Sequence, residues 1–129
     1  MSNSEAFTRA IRVSVQSQLS PGHSEPKKRQ WFFVYTVTIA NEGSATVQLL
    51  NRHWTITDAN GAVKEVRGEG VIGRQPVLAP GESFEYTSGA PLPTPFGSMH
   101  GRYEMRTDSG ERFWATVAPF ALREEGAFH

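Results

Sequence analysis

One glycine-rich segment holds the residues best suited to chemistry: Gly68, Gly70 and Gly73 match the letters G-x-G-x-x-G, with Arg67 and Arg74 on either side. In dinucleotide-binding folds this motif opens a helix whose N–H groups face the phosphates, but the residues that follow here are typical of a strand. Such a loop can still turn its N–H groups inward around an anion, and the two arginines could bind phosphate oxygens bidentately. Two interpretations stay open: a weak phosphate or nucleotide site, or glycines that allow positive φ and close backbone packing. The second is favoured, because glycine in strand-rich chains usually marks such geometry.

Histidine is the next residue type that could do chemistry, as a metal ligand. His23, His53, His100 and His129 show no ligand-like spacing within one element. His53 and His100 fall in predicted strands and could meet across a sheet, although a hydrogen-bonded structural histidine is favoured at each. The chain has no Cys, so thiolate metal sites and thiolate nucleophiles are excluded. We expect neither a metal site nor a cofactor.

Catalytic equipment is sparse. Serine, histidine and aspartate are scattered without a local motif such as G-x-S-x-G. Triads assemble in space, so this absence is partial evidence. The sequence favours a protein that is not an enzyme.

The charge balance limits the partners. Thirteen Lys and Arg face thirteen Asp and Glu, a formal net charge of zero, so no long-range field attracts nucleic acid or an anionic membrane. The basic run at 27–29 is too short for a nucleic-acid patch. Neither a secretory signal over 1–10 nor an apolar run of roughly 20 residues is recognisable. We expect a cytoplasmic protein that binds neither nucleic acid nor membranes.

The elements that must position these residues are strands. Apolar and polar residues alternate with period two, interrupted about every ten residues by Gly, Pro, Asn or Asp. The predicted strands cover 11–16, 31–39, 47–57, 62–66, 83–88, 99–106 and 112–117. Prolines at 91, 93 and 95 predict an extended crossing between sheets. No segment has helical periodicity beyond a single turn. The pattern predicts an all-β, antiparallel sandwich of the immunoglobulin or fibronectin type III kind, with seven or eight strands.

The aromatic residues divide between core and surface. Trp54 and Trp114 are predicted to be buried, because large apolar side chains are usually buried. Phe96, within the proline-rich crossing, is the better candidate for an exposed contact. Open sheet edges can accept an extended strand from another protein, so we expect a protein partner and a monomer or weak homodimer.

Several motifs in a fixed order resemble the bacterial ApaG family. They are 48–54 (QLLNRHW), 68–73 (GEGVIG), 75–78 (QPVL), 80–82 (PGE), 86–89 (YTSG) and 97–103 (GSMHGRY). The resemblance extends from about Val13 to Leu122. It implies a fibronectin type III-like sandwich, a link to cobalt tolerance and magnesium efflux, and interaction roles, and it supplies no catalytic residues.

The sequence therefore predicts one ApaG-like domain over 1–129, with a core at about 9–122 and flexible termini. The preferred function is a non-catalytic protein-interaction module with an undefined biochemical role, connected with divalent-cation homeostasis only through the resemblance. The alternative is a phosphate- or nucleotide-binding effector that uses the glycine-rich loop. An enzyme is the third possibility.

Overall fold

Two antiparallel sheets face each other in the computed structural model, which describes residues 1–124. This part of the chain contains nine strands: β1 (Ser2–Thr8), β2 (Ile11–Leu19), β3 (Trp31–Asn41), β4 (Val47–Asp58), β5 (Val63–Glu69), β6 (Val77–Leu78), β7 (Ser83–Leu92), β8 (Phe96–Thr107) and β9 (Arg112–Arg123). The first sheet has the order β1-β2-β3-β7 and the second β5-β4-β8-β9, with β6 paired to β4. The predicted antiparallel sandwich is confirmed, but residues 1–124 contain nine strands where seven or eight were predicted, since β1 and the two-residue β6 were not expected.

Alternation of side chains explains why these segments form a sandwich. In β2 every second residue, from Ile11 through Val13 and Val15, is buried while its neighbours are more exposed. The adjacent strand β3 of the same sheet repeats the pattern, and Val15 lies opposite Val37. Because successive side chains point to opposite faces of a strand, each sheet contributes one apolar layer to a shared core.

Strand β1 was not expected, because the predicted core began only at about residue 9. Its residues are polar, but they alternate between half-buried and exposed positions along the edge of the first sheet. The Ser4 hydroxyl donates to the Ala118 carbonyl at 2.9 Å, and the Ser17 hydroxyl of β2 donates to the Ala121 carbonyl at 2.7 Å. These bonds join the first sheet to β9 and close one side of the sandwich.

The proline-rich crossing is shorter than predicted. Strand β7 continues through Pro91, which lies opposite Phe32 of β3, and β8 begins at Phe96. An edge strand tolerates proline because the missing N–H faces away from the ladder, and β7 is an edge of its sheet. The extended-loop prediction was therefore wrong for Pro91, and the connection between strands narrows to 93–95.

A polar seam runs through the core between the sheets. The protein's three tyrosines meet there: Tyr35 and Tyr86 come from the first sheet, Tyr103 from the second. The hydroxyl groups of Tyr86 and Tyr103 hydrogen-bond each other. Burial raises the pKa of all three phenols above the ordinary value of 10.0. The indole of Trp54 packs edge-on against Tyr35 and Tyr103, with ring centroids 5.5 and 5.8 Å away.

The helical content is small, as expected. Two three-residue 3-10 turns, Pro21–His23 and Pro26–Lys28, lie in the connection between β2 and β3. Residues 1–124 include no helix with the length and apolar character needed to cross a bilayer.

Candidate functional site

The outer face of the second sheet carries two neighbouring rows of polar side chains. In the first row Arg67 of β5 lies opposite His53 of β4, which lies opposite Arg102 of β8. In the second row Glu104 of β8 pairs with Trp114 of β9. These side chains face outward because the residues that alternate with them, such as Trp54 and Tyr103, are committed to the core.

Arg102 is held from two sides on this face. Its Nε donates a hydrogen bond to Nδ1 of His53 at 3.3 Å, and its guanidinium carbon lies 4.1 Å from the centre of the Trp114 ring. Cation–π stacking and the hydrogen bond together restrict a side chain that otherwise has many rotamers. The guanidinium is therefore presented in a fixed orientation.

His53 is fixed in turn by Glu65. Nε2 of His53 lies 2.8 Å from a carboxylate oxygen of Glu65, and only 13% of the His53 side chain is exposed. Since Nδ1 accepts from Arg102, the ring proton belongs on Nε2, which donates to Glu65. This hydrogen bond and the nearby charge of Arg67 lower the pKa of Glu65. Both ring nitrogens of His53 are thus engaged, as expected for a structural histidine.

A shallow cleft of about 450 Å³, open to solvent, runs along the two rows. Its lining residues come from β4, β5, β8 and β9: Asn51, Arg52, His53, Arg67, Gly68, Glu69, Arg102, Glu104 and Trp114. Glu104 accepts a hydrogen bond from the Asn51 amide at 2.8 Å and lies 3.8 Å from Arg112. The side chains that line the cleft stand on strands, which position them more accurately than loops do.

Trp114 overturns one sequence expectation. Trp54 is buried at 3% exposure as predicted, but Trp114 is 37% exposed and lies on the outer face. Ala115 and Val117, whose side chains point to the opposite face of β9, are buried. Trp114 therefore faces outward because of its position in the alternation of β9, although its large apolar side chain predicted burial. Phe96, expected at the surface, is 44% exposed.

The glycine-rich loop connects β5 to β6 through a tight turn, and several of its backbone N–H groups are hydrogen-bonded within the fold. The N–H of Gly70 donates to the Leu50 carbonyl at 2.8 Å, and Val71 and Arg74 exchange two backbone hydrogen bonds of 2.8 and 2.9 Å. The turn between them has positive φ at Ile72 (43°) and Gly73 (77°), the geometry of a type I′ turn. These N–H groups already have acceptors within the fold.

Arg52 has a role at this loop that the sequence analysis did not assign. Its Nη1 donates to the carbonyl oxygens of Glu69 and Gly70 at 3.1 and 2.9 Å. The loop therefore turns carbonyl groups toward a cation. The signal that could have found this contact is the β4–β5 register, which places Arg52 directly opposite Gly68.

The residues predicted to bind an anion do not all line the same cleft. Arg67 and Gly68 line the cleft, whereas Gly70, Gly73 and Arg74 are not among its lining residues. Arg67 lies 3.6 Å from Glu65. Binding of phosphate or nucleotide by Gly68, Gly70, Gly73, Arg67 and Arg74 stays a prediction.

The histidines do not assemble into a metal centre in the described residues. His53 is engaged as above, and His100 is exposed opposite Thr55. Within residues 1–124 no group of three or more His, Asp or Glu is arranged to hold a metal ion. His129 lies outside the described residues.

Comparisons with known proteins agree with one another. A model of the ApaG domain family matches residues 21–107. Protein ApaG of Rhodopseudomonas palustris (strain TIE-1) is 58% identical over 117 residues, 91% of this chain and 90% of that protein. Protein ApaG of Rhodospirillum centenum is 56% identical over 115 residues, 89% and 88% of the two chains. A crystal structure of a Bordetella pertussis protein named ApaA superposes with a TM-score of 0.88 at 49% identity, covering 91% of this chain and 95% of that one.

Proposed function

The chain belongs to the ApaG family, and we propose that it is a non-catalytic binding module that holds a partner protein against the outer face of its second sheet. The contact surface is the cleft along β5, β4, β8 and β9. Any influence on cobalt or magnesium homeostasis, which the resemblance implies, is then exerted through the partner.

The exposed pair of Trp114 and Arg102 carries this proposal. Trp114 is 37% exposed, with the Arg102 guanidinium 4.1 Å above its ring. Tryptophan and arginine are the residues most enriched where binding energy concentrates in protein interfaces. Both side chains stand on strands and are restrained before any partner arrives, so little conformational entropy is lost on binding.

The state of His53 supports a binding role over a catalytic one. A general base needs a ring nitrogen that is free to take a proton from the substrate. One nitrogen of His53 already accepts from Arg102 and the other contacts Glu65 at 2.8 Å. The imidazole therefore links Arg102 and Glu65 through its two hydrogen bonds and fixes their positions.

Capture from cell extract tests the proposal. Immobilised wild-type protein and a Trp114→Ala variant are incubated with an extract of Rhodopseudomonas palustris, the source of a 58% identical relative. Phe7→Ala is the matched control, because Phe7 is 55% exposed and also lies beneath an arginine, Arg12, but on the first sheet. We expect a protein that wild type and Phe7→Ala retain and Trp114→Ala does not. Equal retention by all three proteins would contradict the proposed surface.

A further inference from the structure

We infer that Arg102 is the docking point for a carboxylate on an extended acidic segment of the partner protein, an inference that rests on the function proposed above. The site consists of the Arg102 guanidinium, the Trp114 ring beneath it and the cleft beside them.

The terminal nitrogens of Arg102 lack an acceptor among the described residues. Arg102 uses Nε to contact His53, and within residues 1–124 its two terminal nitrogens make no hydrogen bond or ion pair. Those nitrogens form the planar fork that matches a carboxylate with two parallel hydrogen bonds. A fork that is restrained but unoccupied is prepared for an external anion.

Two other arginines in this protein show what completes such an arrangement. Arg12 stacks on Phe7 at 4.6 Å and also binds Glu42, with Nε 2.6 Å from the carboxylate. Arg9 stacks on Phe113 at 4.6 Å and also pairs with Glu111. In both cases an aromatic ring supports the guanidinium and an internal carboxylate occupies its donors. Arg102 has the ring without the carboxylate.

The neighbouring glutamates do not fill the position. Glu65 contacts His53 and Arg67, and Glu104 contacts Asn51 and Arg112. Each of these carboxylates is therefore already engaged with other groups. Glu69 also lines the cleft, but no hydrogen bond or ion pair joins it to Arg102, so residues 1–124 supply no acceptor for the terminal nitrogens of Arg102.

The carboxylates around Arg102 favour a singly charged ligand over a phosphate. Three glutamates, Glu65, Glu69 and Glu104, lie on the same face as the arginines Arg67, Arg102, Arg106 and Arg112. These three carboxylates repel a dianion about twice as strongly as they repel a single negative charge. A singly charged carboxylate receives the same bidentate contact with less repulsion.

The shape of the cleft favours a chain segment over a small molecule. Sites for small molecules usually enclose most of the ligand surface, whereas this cleft is open and extends across four strands. An extended peptide could place one acidic side chain on Arg102 and an apolar neighbour on the exposed Trp114 ring. A groove of this kind gives affinity through several shallow contacts.

Selection from a displayed library of random peptides tests the inference. Wild type, Arg102→Gln and Arg102→Lys are used as targets, with circular dichroism confirming that each is folded. Arg12→Gln is the matched control, because Arg12 is also stacked on an aromatic ring. We expect wild type and Arg12→Gln to enrich peptides with Asp or Glu at a fixed position. Enrichment should vanish with Arg102→Gln and weaken with Arg102→Lys, which keeps the charge but lacks the fork.

A selected peptide is then synthesised with Glu, Gln or phosphoserine at the enriched position. Replacing Glu by Gln should weaken binding about tenfold or more, as expected for a charge-assisted hydrogen bond. Tighter binding of phosphoserine would overturn the choice of a carboxylate. Peptides that bind through Trp114 without any acidic preference would overturn the inference and leave the binding function standing, whereas no selected peptide at all would count against both.

Discussion

The guanidinium of Arg52 occupies the space where a side chain at position 68 would begin: a Cβ built on Gly68 would lie 2.7 Å from Nη2 of Arg52. The same guanidinium donates to the carbonyl oxygens of Glu69 and Gly70. The first glycine of the G-x-G-x-x-G segment therefore makes room for an internal cation.

Two glycine substitutions in this segment should differ in their cost. Gly68→Ala displaces only the flexible end of Arg52, so we expect the free energy of unfolding to fall by about 1–2 kcal/mol through weakened hydrogen bonds. Gly70→Ala should cost about 3 kcal/mol, because φ is +64° and the new Cβ would lie 2.2 Å from the Arg74 carbonyl oxygen. Urea denaturation measures both. Gly22→Ala is the control, because a Cβ there would have no atom within 4 Å. Equal costs at positions 68 and 70 would contradict the difference expected between a flexible side chain and a fixed carbonyl as the neighbour.

The tyrosine pair across the core should behave as a coupled unit. Tyr103→Phe leaves the Tyr86 hydroxyl buried without its partner, which should cost about 1–3 kcal/mol of stability. The double variant with Phe at both positions removes both hydroxyls and should cost less than the sum of the single changes. A double-mutant cycle by urea denaturation measures this coupling. Strict additivity would show that the two hydroxyls do not depend on each other.

Stability should also decline in alkaline solution. Burial raises the pKa of Tyr35, Tyr86 and Tyr103 in the folded protein above 10.0, so the unfolded chain loses these protons first. The stabilising contribution is fully present below about pH 10 and is lost as the pH rises toward the folded-state values, by up to about 1.4 kcal/mol per tyrosine per pH unit. Because these are the protein's three tyrosines, tyrosinate absorbance reports on them alone. It should appear together with the loss of the folded circular dichroism signal, not near pH 10 in a protein that is still folded.

The phosphate alternative has its own test. Pyrophosphate and ATP are titrated while the amide resonances of Gly70, Val71 and Arg74 are followed by NMR. We expect no saturable shift at millimolar ligand, because these N–H groups already donate to the Leu50, Arg74 and Val71 carbonyls. Saturable shifts that disappear in Arg67→Gln or Arg74→Gln would establish the loop as an anion site instead.

Local alternation predicted most of the fold, since each strand with one apolar and one polar face carries that pattern in its own residues. Strand β1 was not predicted because its residues are polar and lack an apolar face. Its main partner is the next strand, β2, with Thr8 opposite Ile11, and positive φ at Arg9 and Ala10 forms the turn between them without glycine. The Ser4 contact to Ala118 of β9 adds a hydrogen bond that no local pattern predicts.

The proposed binding face was harder to predict from the sequence. The residues around Arg102 come from three other strands, and their proximity depends on the register between β5, β4, β8 and β9. The size of Trp114 suggested burial, whereas its phase relative to Ala115 places it outside. The glycine-rich segment matches a phosphate-binding motif in its residue letters, but its N–H groups at Gly70, Val71 and Arg74 are already hydrogen-bonded within the fold.

Photo-crosslinking from position 116 is the most direct test of a partner on the outer face of the second sheet. Thr116 is exposed and pairs with Arg102 in the β8–β9 register, so a photoreactive residue there would lie beside the Arg102 and Trp114 pair. Thr87, exposed on the first sheet, is the control position. In living Rhodopseudomonas palustris we expect one discrete adduct from position 116, none from position 87, and loss of the adduct when Trp114→Ala is added. No adduct from 116, or one that Trp114→Ala leaves unchanged, would contradict the proposed binding face.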